Sequence, residues 1–217
     1  MSDPDLSVVI AVRDGAEWVG DAVGSARSAD GLLEIVVVDD GSRDDSASVA
    51  REAGGPVRVV STSGRGLPAA HNAGVAASRG ELVAFLDSDD RWLAPTPDPR
   101  RPLLAGADAV HARVQCRDAD GEPRGEPFHL GGLAGLLLRR GALDAVGPFD
   151  EGLRRGHDVD WLLRAREEGL GIARSDAVVL EYRLRGESMS GPPGMRSAGL
   201  LAAARRSAKR AETESAP

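Results

Sequence analysis

Three carboxylates crowd into four residues at Asp87-Ser-Asp-Asp90, where the apolar run Glu81-Leu-Val-Ala-Phe-Leu86 stops. That run has the length of a buried strand, about six residues. Carboxylates so close repel one another, and the arrangement is cheap only where they are solvated or share a cation. At an extended strand end Asp87 and Asp89 face the same side, as positions i and i+2 do. Two hard oxygen ligands facing one way suit Mg²⁺ or Mn²⁺, which keep some waters and complete their shell with substrate phosphates. A polar turn capping the next helix explains the same four residues equally well.

Other acidic positions fall at comparable places. Arg13-Asp14 follows the apolar run Leu6–Val12, and Asp39-Asp40 follows Glu34-Ile-Val-Val-Val38. Asp40 can accept from a base N–H or a ribose hydroxyl, or simply serve the Asp-Gly-Ser turn. Helices are expected near Glu17–Ala29, Ser46–Ala53 and Pro68–Ser78, and a further strand at Pro56–Val60. This alternation over some ninety residues predicts a mostly parallel sheet with right-handed crossovers. Ligands of open parallel sheets bind outside the carboxyl ends of the strands, where these acidic segments sit. No Gly-x-Gly-x-x-Gly follows the first strand and no Gly-x-x-x-x-Gly-Lys is present, which disfavours a dinucleotide site and a P-loop.

The second part of the chain is less regular. Pro95, Pro97, Pro99 and Pro102 interrupt it after the acidic cluster. A strand is expected at Ala107–Val114, a hairpin turn at Asp118–Gly121 and a flexible loop at Gly131–Gly135. Helices are expected at Gly141–Val146 and Val159–Glu168, the latter turning Trp161, Leu162 and Leu163 toward the core. A last strand is expected at Ala177–Leu184. The division reads as one domain over 1–190, with a nucleotide-binding half (5–90) and an acceptor-binding half (91–190), then a tail over 191–217 that is helical or disordered.

Composition narrows the class. The chain has 217 residues, 41% hydrophobic and 28% charged, ordinary for one globular α/β domain. A net charge of −7 disfavours a nucleic-acid groove. Cys116 is the only cysteine, which excludes an internal disulfide or a cysteine-rich metal site. No signal peptide or transmembrane run is legible, so the expectation is a cytoplasmic protein.

Taken together, Leu6–Val12, Val38-Asp-Asp-Gly-Ser42, Ala70-His-Asn-Ala-Gly74, Gly80–Asp90 and Asp158-Val-Asp-Trp-Leu-Leu-Arg-Ala-Arg166 resemble, in order and spacing, the family-2 glycosyltransferases of the GT-A fold. The resemblance runs from about residue 5 to 190. It implies a Rossmann-like, mostly parallel sheet flanked by helices, with a smaller acceptor-side subregion. It implies inverting transfer of a sugar from a nucleotide-diphosphate donor, a UDP-sugar favoured, with Mn²⁺ or Mg²⁺ as cofactor. Asp89 takes the metal position and Asp87 and Ser88 the ribose side. Asp40 takes the base-reading position, with Ala11, Val12, Arg13 and His71 lining the same pocket. Asp158 takes the place of the general base, with His157, Trp161 and Arg185 behind the acceptor side. Alone, Asp158 also suits the N-terminus of a helix, where a carboxylate meets the macrodipole favourably.

The chain departs from the family pattern at Ala11 (usually Pro), Arg13 (an aromatic), Asp14 (Asn), His71 (Arg), His157 (Glu) and near Arg185 (often His). Arg13 can stack on a uracil ring, and His71 can contact base or phosphate or only pack. His157 beside Asp158 is expected to make the base sensitive to pH near neutrality, and Arg183 or Arg185 can hold the diphosphate. Asp90 is expected only to finish the turn. Two alternatives stay open: a nucleotidyltransferase, and a degenerate transferase that binds nucleotide sugar or a protein partner without catalysis. The acceptor, whether saccharide, lipid, small metabolite or peptide, is not legible, and a homodimer is left open.

Overall fold

The computed structural model describes residues 5–93 and 97–184. The tail over 191–217 and Arg185 lie outside the described residues. Seven elements follow the expected alternation: β1 (Leu6–Val12), α1 (Val19–Ala26), β2 (Leu32–Asp39), α2 (Ser46–Glu52), β3 (Val57–Ser61), α3 (Leu67–Ala77) and β4 (Leu82–Phe85). Then come β5 (Arg91–Trp92), a 3₁₀ turn at Arg101–Gly106, β6 (Ala109–Arg117), β7 (Pro123–Phe128) and β8 (Leu136–Arg139). The described chain ends with α4 (Arg140–Val146), α5 (His157–Glu167) and β9 (Ile172–Arg183).

All nine strands among the described residues join one sheet in the order β3-β2-β1-β4-β8-β6-β9-β5, with β7 pairing onto β6. Pairings of β1 with β2 and β4, and of β2 with β3, are parallel. Beyond β4 the sheet turns mixed: β8 is antiparallel to β4 and β6, whereas β9 runs parallel to β6.

The continuous β-branched runs arise because both faces of this part of the sheet are covered. Val8, Ile10, Ile35 and Val37 pack on one side with Val19, Ala22, Val23 and Ala26 of α1. The alternating residues Ala11, Val36 and Val38 pack on the other side with Ala70 of α3. Gly74 lets α3 sit this close, because a Cβ there would collide with Val9. Beyond β4, Leu136, Leu138, Phe149 and Trp161 form a second cluster against Val9, Val83 and Phe85.

Several expectations need correction. The first helix begins at Val19 rather than Glu17 and ends at Ala26, with a short turn at each end in place of helix. The last strand begins at Ile172, five residues before Ala177, because its early part pairs with Ala109–His111 of β6. Strands β5 and β8 match no expected strand, and β7 is marked only by the hairpin turn expected at Asp118–Gly121. Strand β5 is two residues long and β7 is exposed over most of its length, so neither carries an apolar pattern.

Candidate active site

The acidic segments converge because their strands are adjacent and parallel. Val12 lies opposite Asp39, and Val9 opposite Phe85, so the carboxyl ends of β1, β2 and β4 open on one edge. The loops after β1 and β2 are stitched together. The N–H groups of Asp14, Gly15 and Ala16 donate to Ser42 Oγ (3.0 Å), Ser46 Oγ (2.9 Å) and Asp44 Oδ2 (2.9 Å). In return Arg43 N donates to Asp14 Oδ1 at 2.7 Å. Asp14 adopts a left-handed φ of 50°, a conformation Asp tolerates better than most residues. Asp39 and Asp44 are therefore turn-makers.

Asp40 is buried and already employed. Its carboxylate accepts Thr62 Oγ1 at 2.6 Å, Arg65 N at 3.0 Å and Gly66 N at 2.8 Å. Burial pushes its pKa up, but those donors and the nearby Arg13 guanidinium outweigh it and hold the carboxyl below its ordinary range. A carboxylate offers about four lone-pair sites, which leaves room for about one more donor. Arg13 is exposed, and its guanidinium lies over Gly64 of the same loop. Ala11 and Val12 are buried, so only their backbone can line a pocket.

In the turn after β4, Asp87 is exposed while Ser88 and Asp89 are half-buried. A Cβ on Gly15 would stand 3.5 Å from Ser88 Oγ, which puts the β1 loop beside this turn. Asp87 and Asp89 are the pair able to hold a hard cation. Asp90 does more than finish the turn. Its N–H reaches Asp87 O at 3.1 Å, and its Oδ1 accepts Arg183 N at 2.9 Å, pinning the end of β9. Its buried Oδ2 has no hydrogen-bond partner among the described residues. Burial first, then the charges of Asp87 and Asp89, push its pKa up to about 9. Arg183 lies over Trp18, its guanidinium carbon 4.1 Å from the ring centroid, a cation–π contact with no signal in the sequence.

Asp158 occupies the first turn of α5, with Asp160 beside it and a left-handed Gly156 (φ 77°) just before the helix. It abuts Gly132, where a Cβ would collide with Asp158 Oδ2. The glycine-rich loop is thus fitted against the helix start. The same loop bridges β4 through Phe85 and Ala134, two residues before Asp87. The Gly131–Gly135 loop thus contacts both Asp158 and the end of the strand that leads into the acidic turn.

Three further residues are placed away from solvent. His71 is buried, with Nδ1 3.1 Å from His157 Nε2, and packs rather than lining the nucleotide side. Burial lowers the pKa of both imidazoles, His71 to about 3. Burial thus favours the neutral form of His157, against the pull of Asp158 and Asp160 toward the imidazolium. Trp161 is wholly buried, its Nε1 donating to Gly147 O at 3.0 Å, so it supports the core and cannot touch an acceptor. Asn72, unremarked in the sequence, bonds both the N–H (2.8 Å) and the carbonyl (2.9 Å) of Phe149.

The profile of Glycosyl transferase family 2 matches residues 7–124. The chain is 32% identical to the succinoglycan biosynthesis protein ExoU of Rhizobium meliloti, over 86% of this chain and 64% of ExoU. It is 31% identical to a pre-mycofactocin glycosyltransferase of Mycobacterium tuberculosis, over 77% of this chain and 40% of that protein. The chain thus spans less than two thirds of these relatives' length. Its fold matches the crystal structure of S. aureus TarS 1-349 in complex with UDP-GlcNAc, with a TM-score of 0.71 and 21% identity over 87% of this chain and 61% of TarS. The architecture is the GT-A fold, and the chain belongs to glycosyl transferase family 2.

Proposed function

We propose that the chain transfers a sugar from a nucleotide-diphosphate donor, a UDP-sugar first among them, to an acceptor nucleophile with inversion at the anomeric carbon. One observation carries this reading: the Gly131–Gly135 loop bridges to Phe85, two residues before Asp87 at the carboxyl end of β4, and abuts Asp158 through Gly132. A UDP-GlcNAc complex of a protein of like fold supports the choice of donor.

A divalent cation fits the donor set. Among the described residues no group of three His, Cys, Asp or Glu closes a cage. Magnesium commonly uses one or two carboxylates and takes its other oxygens from phosphate and water. After burial, the charges of Asp87 and Asp89 help to raise the pKa of Asp90, and a cation held by that pair would relieve this repulsion. We assign Asp89 and Asp87 as its ligands, where Mn²⁺ or Mg²⁺ would neutralise charge growing on the diphosphate leaving group. Asp40 keeps the 62–66 loop against the base side, and the 11–13 backbone lines the same pocket. Asp158 takes the proton of the attacking acceptor, a step typically worth about 10²–10⁴-fold. One displacement needs one base and no protein nucleophile, which favours inversion. No described helix is long and apolar enough to cross a membrane; with a single free thiol, we assign the site of action to the cytoplasm.

The test pairs calorimetry with turnover. UDP binding in Mn²⁺ should weaken on adding EDTA in the wild type and be indifferent to EDTA in Asp89→Ala. Asp158→Asn should bind UDP normally yet lose about 10²–10⁴-fold in UDP-GlcNAc turnover. Wild type and Asp158→Asn equally inert, with UDP still bound, would establish the non-catalytic binding reading instead.

A further inference from the structure

Positions 71 and 157, two of the departures from the family pattern, meet inside the fold. His71 comes from the buried face of α3 and His157 opens α5, and each is no more than 5% exposed. Their nitrogens are 3.1 Å apart. Phe85 stands edge-on to His71 at 5.1 Å between centroids, Phe149 stands edge-on to His157 at 5.8 Å, and Trp161 lies 5.9 Å behind Phe149. The next residue of α3, Asn72, clamps the backbone of Phe149 through both atoms of its amide. Consecutive residues of one helix therefore hold the 149 segment and the first turn of α5, and Asp158 is the residue after His157.

Two imidazoles in contact share a hydrogen bond only when one nitrogen carries the proton and its partner does not. Two imidazolium ions would bring donor against donor between two buried rings. The groups facing the pair are apolar, Phe85 from β4 and Phe149 from the preceding loop, while Asp158 and Asp160 on α5 pull only on His157. The pair is thus a neutral joint between helices from the two halves of the molecule.

We infer that the His71–His157 hydrogen bond and the Asn72 clamp on Phe149 together form a neutral latch that sets the place of Asp158, so that His71 and Asn72 are positioning residues for transfer. This rests on the reading of Asp158 as the base. A guanidinium and a carboxylate could occupy the two positions together, since their charges would compensate. Either alone would be a buried unpaired charge and would spring the joint.

The experiment is a double-substitution cycle on the full chain: His71→Arg, His157→Glu and the two combined. Amide hydrogen exchange at 149–160 reports local opening. Each single swap should accelerate it about tenfold or more while β1 stays protected, and the combination should return it to within about threefold of wild type. Independent, additive effects would overturn the latch. Should the charged singles fail to fold, His71→Phe and Asn72→Ala carry the test: wild-type exchange at 149–160 in both refutes it. Long-range ¹H–¹⁵N spectra should show one neutral tautomer of His157 in wild type and a mixture in His71→Phe; a mixture in both refutes the hydrogen bond. In Asn72→Ala, kcat for UDP-GlcNAc should fall with UDP affinity unchanged, and an unaltered kcat alongside faster exchange would reduce Asn72 to a structural role. Wild-type turnover in Asp158→Asn would remove the base reading and leave the exchange result standing, which separates the two failures.

Discussion

The halves of the sheet on either side of β4 satisfy their backbone by different means. Up to residue 90, parallel strands pair at seven, five and four positions, and apolar helices cover both faces. Beyond it the pairings are mixed in direction, and arginine side chains collect carbonyls chiefly of the loops and element ends. Arg100 reaches Gly135 O at 3.3 Å, Arg139 reaches Leu104 O at 2.8 Å, and Arg140 reaches Gly80 O at 2.7 Å. Arg164 takes Val146 O at 2.7 Å and Pro148 O at 2.8 Å, and Arg113 takes Asp176 O at 2.7 Å. A buried carbonyl left unpaired costs about 1–3 kcal/mol, and guanidinium, with five donors, is the side chain best able to meet several at once. Arginine pins occur in the first half too, from Arg27 to Ala53 O and from Arg58 to Ala77 O, but they are more numerous beyond β4.

That contrast breaks first at Arg100. Its guanidinium and the Asp98 carboxylate are both buried and 2.7 Å apart, and the same side chain lies 4.9 Å above Trp92. Arg100→Ala strands the carboxylate and should cost about 3–5 kcal/mol in urea unfolding. A loss below about 1 kcal/mol would mean the pins are ornamental.

The joint between the halves should fail next, and through pH. Burial holds His71 at a pKa of about 3 against 6.5 when exposed. The unfolded chain therefore takes up a proton below about pH 6.5 while the folded chain does not, so stability is complete above that value and falls as pH drops toward 3. Between pH 6.5 and 5 this amounts to about 2 kcal/mol. The difference in melting temperature between pH 7.5 and 5 should shrink in His71→Phe; an equal shift in both proteins would exclude His71 as its source.

In the apolar half the same scale of change should be mild. Ile10 is wholly buried, yet Ile10→Val should cost only about 0.5–1.5 kcal/mol because one methylene is lost and its neighbours can close in. The smallest effect belongs to Arg65 and Glu151, whose ion pair bridges the halves with 63% and 36% of the side chains exposed. Arg65→Ala should change stability by less than about 1 kcal/mol. A larger loss would show that the halves are locked at their surface and not through the buried histidines.

The same contrast explains what could be read from residues alone. Strands β1 to β4 announce themselves because double-sided burial demands an unbroken β-branched run, and the acidic residues sit at the run ends. Asp87 and Asp89 stand out for that reason, whereas Asp158 stands at a helix start and is singled out only by the family resemblance. Strand β8 is only Leu-Leu-Leu-Arg, too short to carry a period, and exists because Ala84 and Val110 both pair with Leu137. Arg100 and Asn72 gave no signal: a buried arginine and a clamping amide look like any loop arginine or helix asparagine until the fold supplies their carbonyls. Trp161 was expected to face the core and does, and its complete burial takes it out of reach of an acceptor. Asp90 was undervalued because its partner, the N–H of Arg183, is 93 residues away.

The β6–β7 hairpin offers an opening to the experimenter. Its Asp118–Gly121 tip is closed by local bonds, with Gly121 N to Asp118 O at 3.0 Å and Glu122 N to Asp118 Oδ1 at 2.9 Å, and Asp120 there is exposed. The chain's sole cysteine, Cys116, is buried. An Asp120→Cys substitution would accordingly create one addressable thiol, to which a fluorophore or a surface tether could be attached. Loop tips of this kind accept such grafts with little disturbance, so the protein could be immobilised or watched one molecule at a time.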